Sequence, residues 1–93
     1  MDSIEKRIEK ATNQYIDENL KEVIEWNALS QEQIVHIKNI AKNIVFAREN
    51  ILNGSGFVMA VMDNNLESAI SNADSVCVRA LKLFILVKLW VRF

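Results

Sequence analysis

Of the side chains best suited to nucleophilic, acid–base or metal chemistry, this 93-residue chain holds one histidine, His36, and one cysteine, Cys77. On a helix the neighbours of His36 at three and four positions are Glu32, Gln33, Asn39 and Ile40, none of them a second imidazole or thiol. A zinc site needs three or four ligands of His, Cys or carboxylate type. With His36 and Cys77 far apart in the chain, no metal is expected, and His36 reads as a partly exposed helix residue. Cys77 follows an expected helix start, where the backbone dipole lowers a thiol pKa. Its neighbours Val76, Val78, Ala80 and Leu81 are apolar, which favours a buried small hydrophobe over a nucleophile. Asp63, Glu67 and Asp74 could do acid–base work only if their surroundings drove two pKa values apart. Helix-capping patterns already account for Glu67 and Asp74. Gly54-Ser55-Gly56 lacks the Lys-Ser or Lys-Thr that completes a phosphate loop. The residues therefore predict no enzyme, no catalytic group and no cofactor.

The elements that would position these residues are all helical. Asp2-x-x-Glu5 fits a capping box. Ile4, Ile8, Ala11, Tyr15 with Ile16, Leu20, Val23 and Ile24 then form one apolar stripe, predicting a helix from Ser3 to Trp26. Ser30-x-x-Gln33 is a second capping box and opens a helix with Ile34, Ile37, Ala41, Ile44, Arg48 and Ile51 in line. Asn53-Gly54 is expected to stop it, because glycine readily turns left-handed past a helix end. The short connection Asn27-Ala28-Leu29 between these two helices predicts an antiparallel hairpin. Ser55 opens a short helix through Phe57, Met59 and Met62, which read as core, and Asn64-x-x-Glu67 opens another. Ser71-x-x-Asp74 opens a last helix, from Asn72 to Arg92, that is apolar nearly all round. Arg79, Lys82, Lys88 and Arg92 interrupt it, so it is not expected to span a membrane. A helix with that many apolar faces in so small a chain predicts an oligomeric interface. The expectation is a single all-α domain over residues 1–93, a small helical bundle that forms a homo-oligomer.

The totals agree with a helical globule. The chain is 51 % hydrophobic and has no proline, which excludes a disordered linker. Eleven Lys and Arg face twelve Asp and Glu, a formal charge of −1 with the signs interleaved. No concentrated basic field is present to draw in nucleic acid. One cysteine cannot form an internal disulfide, and the first residues lack the pattern of a signal peptide, so a cytoplasmic location is expected.

The stretch Gly54-Ser55-Gly56-Phe57-Val58-Met59-Ala60-Val61-Met62, with Asn64-Asn65-Leu66, Ala73-Asp74, Ala80-Leu81 and Trp90, resembles a group of small proteins of tailed bacteriophages and prophages. Their shared pattern is a glycine pair, Phe-Leu-x-Ala-Val-Leu, Asn-Asp-Leu, Ala-Asp and a helix ending near an aromatic. Here Asn65 stands where that group usually has Asp, and the Cys-Trp-Gly segment many of its members carry at the C-terminus is missing. The resemblance implies a phage source and no particular reaction. Ile4-Glu5-Lys6-Arg7-Ile8-Glu9-Lys10-Ala11, leading into a hairpin, is also similar to small phage proteins that sequester cyclic-nucleotide immune signals between protomers.

These readings give a leading function and alternatives. First is a non-enzymatic accessory protein that disables a host component, such as one of anti-phage defence, by covering its surface. Asp63, Asn64, Asn65, Asn72 and Asp74 are its candidate contact patch. Second is an oligomeric sponge for a cyclic nucleotide, with Tyr15, Lys21 and Arg48 as ligand-facing residues and Tyr15 as core the competing reading. A small regulator, a virion-associated protein and a helix lying on a membrane complete the set.

Overall fold

Residues 3–23, 29–51 and 54–93 are described by a computed structural model, and they are helical with no strand. Six helices follow in order: α1 (Ile4–Val23), α2 (Gln31–Arg48), α3 (Gly56–Met62), α4 (Leu66–Asn72), α5 (Ser75–Arg79) and α6 (Leu81–Trp90). The radius of gyration, 12.4 Å, matches the roughly 12 Å of a compact domain of this length.

Ser3 caps α1 by accepting from Lys6 N–H at 3.2 Å. The expected cap Asp2 and the expected helix end from Ile24 to Trp26 lie outside the described residues. Ile8, Thr12, Ile16 and Leu20 repeat every four residues and are buried. Thr12 thus occupies a core position that its hydroxyl disguised in the sequence, while Ile4, expected in the stripe, is 48 % exposed.

The α2 capping box forms with both bonds in place. Gln33 N–H donates to Ser30 Oγ at 3.1 Å, and Ser30 N–H donates to Gln33 Oε1 at 2.8 Å. Ile37, Ala41 and Ile44, with Val45 and Phe46, are buried, and Lys38 reaches Asp17 at 2.8 Å to tie α2 to α1.

Where α2 ends, the structure corrects the sequence reading. The left-handed residue is Asn50, at φ 60°, and neither glycine has positive φ. Ile51 N–H bonds to Phe46 O at 2.8 Å and Asn50 N–H to Ala47 O at 3.1 Å, the paired bonds of a Schellman end. Asparagine takes this conformation at small cost because its short polar side chain tolerates it. Gly54 serves a steric need instead: a Cβ there would lie 2.6 Å from Val58 Cβ, on a fully packed side chain.

The central passage is an α3–α4 hairpin. Ser55 caps α3 through Val58 N–H, as expected. A second Schellman end follows, with Asn64 at φ 59°, Asn64 N–H on Val61 O and Asn65 N–H on Ala60 O. Asn65, not Asn64, caps α4, accepting from Ser68 N–H at 3.1 Å. The predicted Asn64-x-x-Glu67 box is therefore displaced by one residue, because Asn64 is consumed in ending α3.

The single long C-terminal helix is not what forms. Asp74 opens the five-residue α5, Ala80 departs from helical geometry at φ −96° and ψ 8°, and α6 starts anew without a side-chain cap. The break lets α6 turn its Leu83, Phe84 and Val87 into the core beside α1, α2 and α3. Phe84, fully buried, meets Phe57 edge-on with centroids 5.5 Å apart. Ile85 and Leu89 remain exposed on the opposite side, and Trp90 is exposed at the helix end. Lys88, which interrupts the apolar run, donates to Val61 O, Met62 O and Asn64 Oδ1 at 2.8–3.1 Å. All three ammonium protons thus close the carboxyl end of α3. Among the described residues no helix is long and apolar enough to cross a membrane.

Candidate functional site

Two places could act on another molecule. One is the junction of α2 with α5. Asp74 accepts from Cys77 N–H through Oδ1 at 2.8 Å, which fixes the carboxylate and turns Oδ2 toward α2. There Oδ2 lies 2.9 Å from His36 Nε2, and Cys77 Sγ lies 3.8 Å from the same nitrogen. His36 and Cys77, forty-one apart in sequence and expected to be too distant to share a metal, are neighbours, and Asp74, read only as part of a capping pattern, joins them. The missing signal was the fold itself, since α5 must swing back onto α2.

The electrostatics of this cluster limit its chemistry. The Cys77 backbone N–H, followed by bonds from the Cys77 thiol and His36, holds the Asp74 carboxyl below its usual range, against a smaller opposing effect of burial. Burial first, and then the Asp74 carboxylate beside it, pushes the Cys77 thiol up to about 12. A thiol so placed is protonated at neutral pH and a poor nucleophile. His36 also faces the acid and the thiol with one nitrogen. In a working triad, base and orienting acid address opposite ring nitrogens. What remains is a convergence of nitrogen, sulfur and oxygen donors, all within 4.8 Å of one another.

The second place is an apolar groove between the α3–α4 hairpin and α6, lined by Ala60, Val61, Leu66, Ala69, Leu81 and Ile85. Asn64 and Asn65 sit on its rim. Leu66 is 58 % exposed and Ile85 40 %. Four residues further along each helix, and so on the same faces, Ile70 and Leu89 are exposed as well.

The residues singled out by sequence divide between structural and surface positions. Asp63 is the exposed C-cap of α3. Asn64 holds Lys88 and Asn65 caps α4. Asn72 closes the far end of α4, donating to Ser68 O at 2.8 Å, with Gly56 against it. Asp74 belongs to the α2–α5 junction. The five therefore lie at both ends of α4, about 10 Å apart along that helix. Tyr15 is half-buried, its pKa raised by that burial, in a depression it shares with Ala11, Gln14, Glu18, Val91 and Arg92. Neither Lys21 nor Arg48 lines that depression. Lys21 is on the last turn of α1. Arg48 is committed to Lys88 O at 3.1 Å and to Glu49 at 3.0 Å, closing the carboxyl end of α6 as Lys88 closes that of α3.

The chain matches no protein-family model, no curated protein and no solved structure. The resemblance of residues 54–81 to small phage proteins therefore stands on those residues alone.

Proposed function

We propose that this chain is a non-enzymatic accessory protein that works by holding an apolar segment of a partner protein in the groove between α4 and α6. The observation that carries the reading is the exposure of Leu66 and Ile85, which line that groove, with Ile70 and Leu89 exposed one turn further along the same helices. Leaving large aliphatic side chains in water costs roughly 25 cal/mol per Å² relative to burial, and a contiguous apolar patch on a small chain marks a contact surface. The resemblance to phage proteins supports a host component as the partner and inhibition by coverage as the mechanism. The groove takes in Asn64 and Asn65 at its rim and leaves Asp74 at the α2–α5 junction. Replacing Asn65 or Asp74 would remove a helix cap, at about 1 kcal/mol each, and could not separate binding from folding.

The test is affinity capture from bacterial lysate with the wild-type chain and a Leu66→Lys/Ile85→Lys double variant. Both side chains are exposed, so helicity and melting temperature are expected to stay within the small range of surface substitutions. Proteins held by the wild type and lost by the variant identify the partner, and equal recovery by both sinks the groove. Native mass spectrometry of the same two proteins shows whether the occupant is a second copy: the wild type would then be an oligomer that the variant splits.

A further inference from the structure

We propose that His36, Asp74 and Cys77 form a binding site for a zinc-like divalent cation that clamps α5 onto α2. Three donors of different type converge from two elements far apart in sequence: His36 Nε2 from α2, Asp74 Oδ2 from the α5 cap and Cys77 Sγ from its first turn. One imidazole, one carboxylate and one thiolate, formed as the entering ion displaces the Cys77 proton to solvent, suit a borderline-soft ion such as Zn²⁺ and not Ca²⁺ or Mg²⁺, which take oxygen alone.

Tetrahedral zinc, with bonds of about 2.0–2.3 Å, holds its ligand atoms roughly 3.3–3.6 Å apart. Here the nitrogen is 2.9 Å from the oxygen and 3.8 Å from the sulfur, and no pair exceeds 4.8 Å. Shifts of about 1 Å or less would seat an ion among them. The ligands also carry their own orienting contact. The Cys77 N–H bond to Oδ1 fixes the carboxylate and turns Oδ2 toward His36, the kind of outer contact that aims metal ligands. Cys77 is 3 % exposed, whereas His36 and Asp74 face solvent. An ion there would bind against the buried sulfur and keep its fourth position toward water.

The clamp would hold where the fold needs it. α5 has five residues, too few to be stable alone. The contacts of Asp74 and Cys77 with His36 tie it to α2, and its Val76 and Cys77 are buried.

The experiment uses the full chain stripped with chelator and titrated with Co²⁺, a spectroscopic stand-in for Zn²⁺. A thiolate ligand gives an intense near-ultraviolet charge-transfer band, and tetrahedral geometry gives visible bands. Saturation at one ion per chain, displacement of the bands by Zn²⁺, and a higher melting temperature with Zn²⁺ are expected. His36→Gln, a half-exposed change that leaves the core intact, should weaken the ion at least about 100-fold, since even outer contacts are worth 10–100-fold. Asp74→Asn, which keeps an acceptor for the cap, should cost at least about tenfold. Cys77→Ala should abolish the charge-transfer band. The stripped variants are checked for helicity by circular dichroism. Absence of a saturable charge-transfer band in the wild type overturns the proposal. So does a folded His36→Gln chain that binds Co²⁺ as the wild type does.

Discussion

Thr12 shows how one atom can mislead a pattern. It sits between Ile8 and Ile16 at full burial, and its Oγ1 finds no hydrogen-bond partner among the described residues. A buried hydroxyl that gave up water without a replacement bond costs about 1–3 kcal/mol. Thr12→Val keeps the shape and removes that cost, so it should stabilise the fold by about 1 kcal/mol and raise the melting temperature by roughly 4–8 °C. Scanning calorimetry checks it, and a fall in the midpoint would mean the hydroxyl is satisfied after all. His36 and Cys77 misled in the opposite direction. The two looked unable to meet, and they do so because α5 packs onto α2, with Asp74 of the α5 cap bonded to both.

At the scale of elements, the caps were legible and the joints between helices only partly so. Ser30 and Ser55 cap α2 and α3 as expected, because a short side-chain oxygen reaches the N–H three residues on, a relation contained within four residues, whereas α5 is capped by Asp74 and the expected cap Ser71 lies inside α4. Helix ends were harder. Asn50 takes the left-handed turn that Gly54 was expected to take and Asn64 takes a second one, while Gly54 is constrained by Val58, whose packing no local pattern reveals. The two carboxyl ends closed by cations from other elements, α3 by Lys88 and α6 by Arg48, are wholly tertiary. Lys88→Met keeps the aliphatic stem but loses three charge-assisted bonds, at about 1.5–3 kcal/mol in net effect. The expected result is a melting midpoint lower by roughly 10 °C or more. A change of only a degree or two would show that water replaces the ammonium at no cost.

For the whole molecule, the decisive side chain is Phe84. It joins the α6 face to the α3 ring of Phe57 at the place where α1, α2 and α3 meet α6. Truncation of such a residue costs about 3–5 kcal/mol. A chain of this length has roughly 5–14 kcal/mol of stability in total. Phe84→Ala is therefore expected to lower the urea midpoint by about a fifth or more, and Phe84→Leu by less. Equal midpoints for Phe84→Ala and the wild type would place the core elsewhere. The same packing explains the exposed aliphatic rows. Once Leu83, Phe84 and Val87 are committed inward, Ile85 and Leu89 must point outward, and no described segment remains to cover them.

The sequence by itself determined the helical class, the start of most helices and most of the core of α1 and α2. These depend on period and on bonds spanning three or four residues, which are properties of a short stretch of chain. Only the tertiary structure decided that the apolar C-terminal run breaks at Ala80, that Lys88 and Arg48 close helices they do not belong to, and that His36 meets Asp74 and Cys77. Each of those depends on which faces must be buried together, and burial is settled by the chain as a whole.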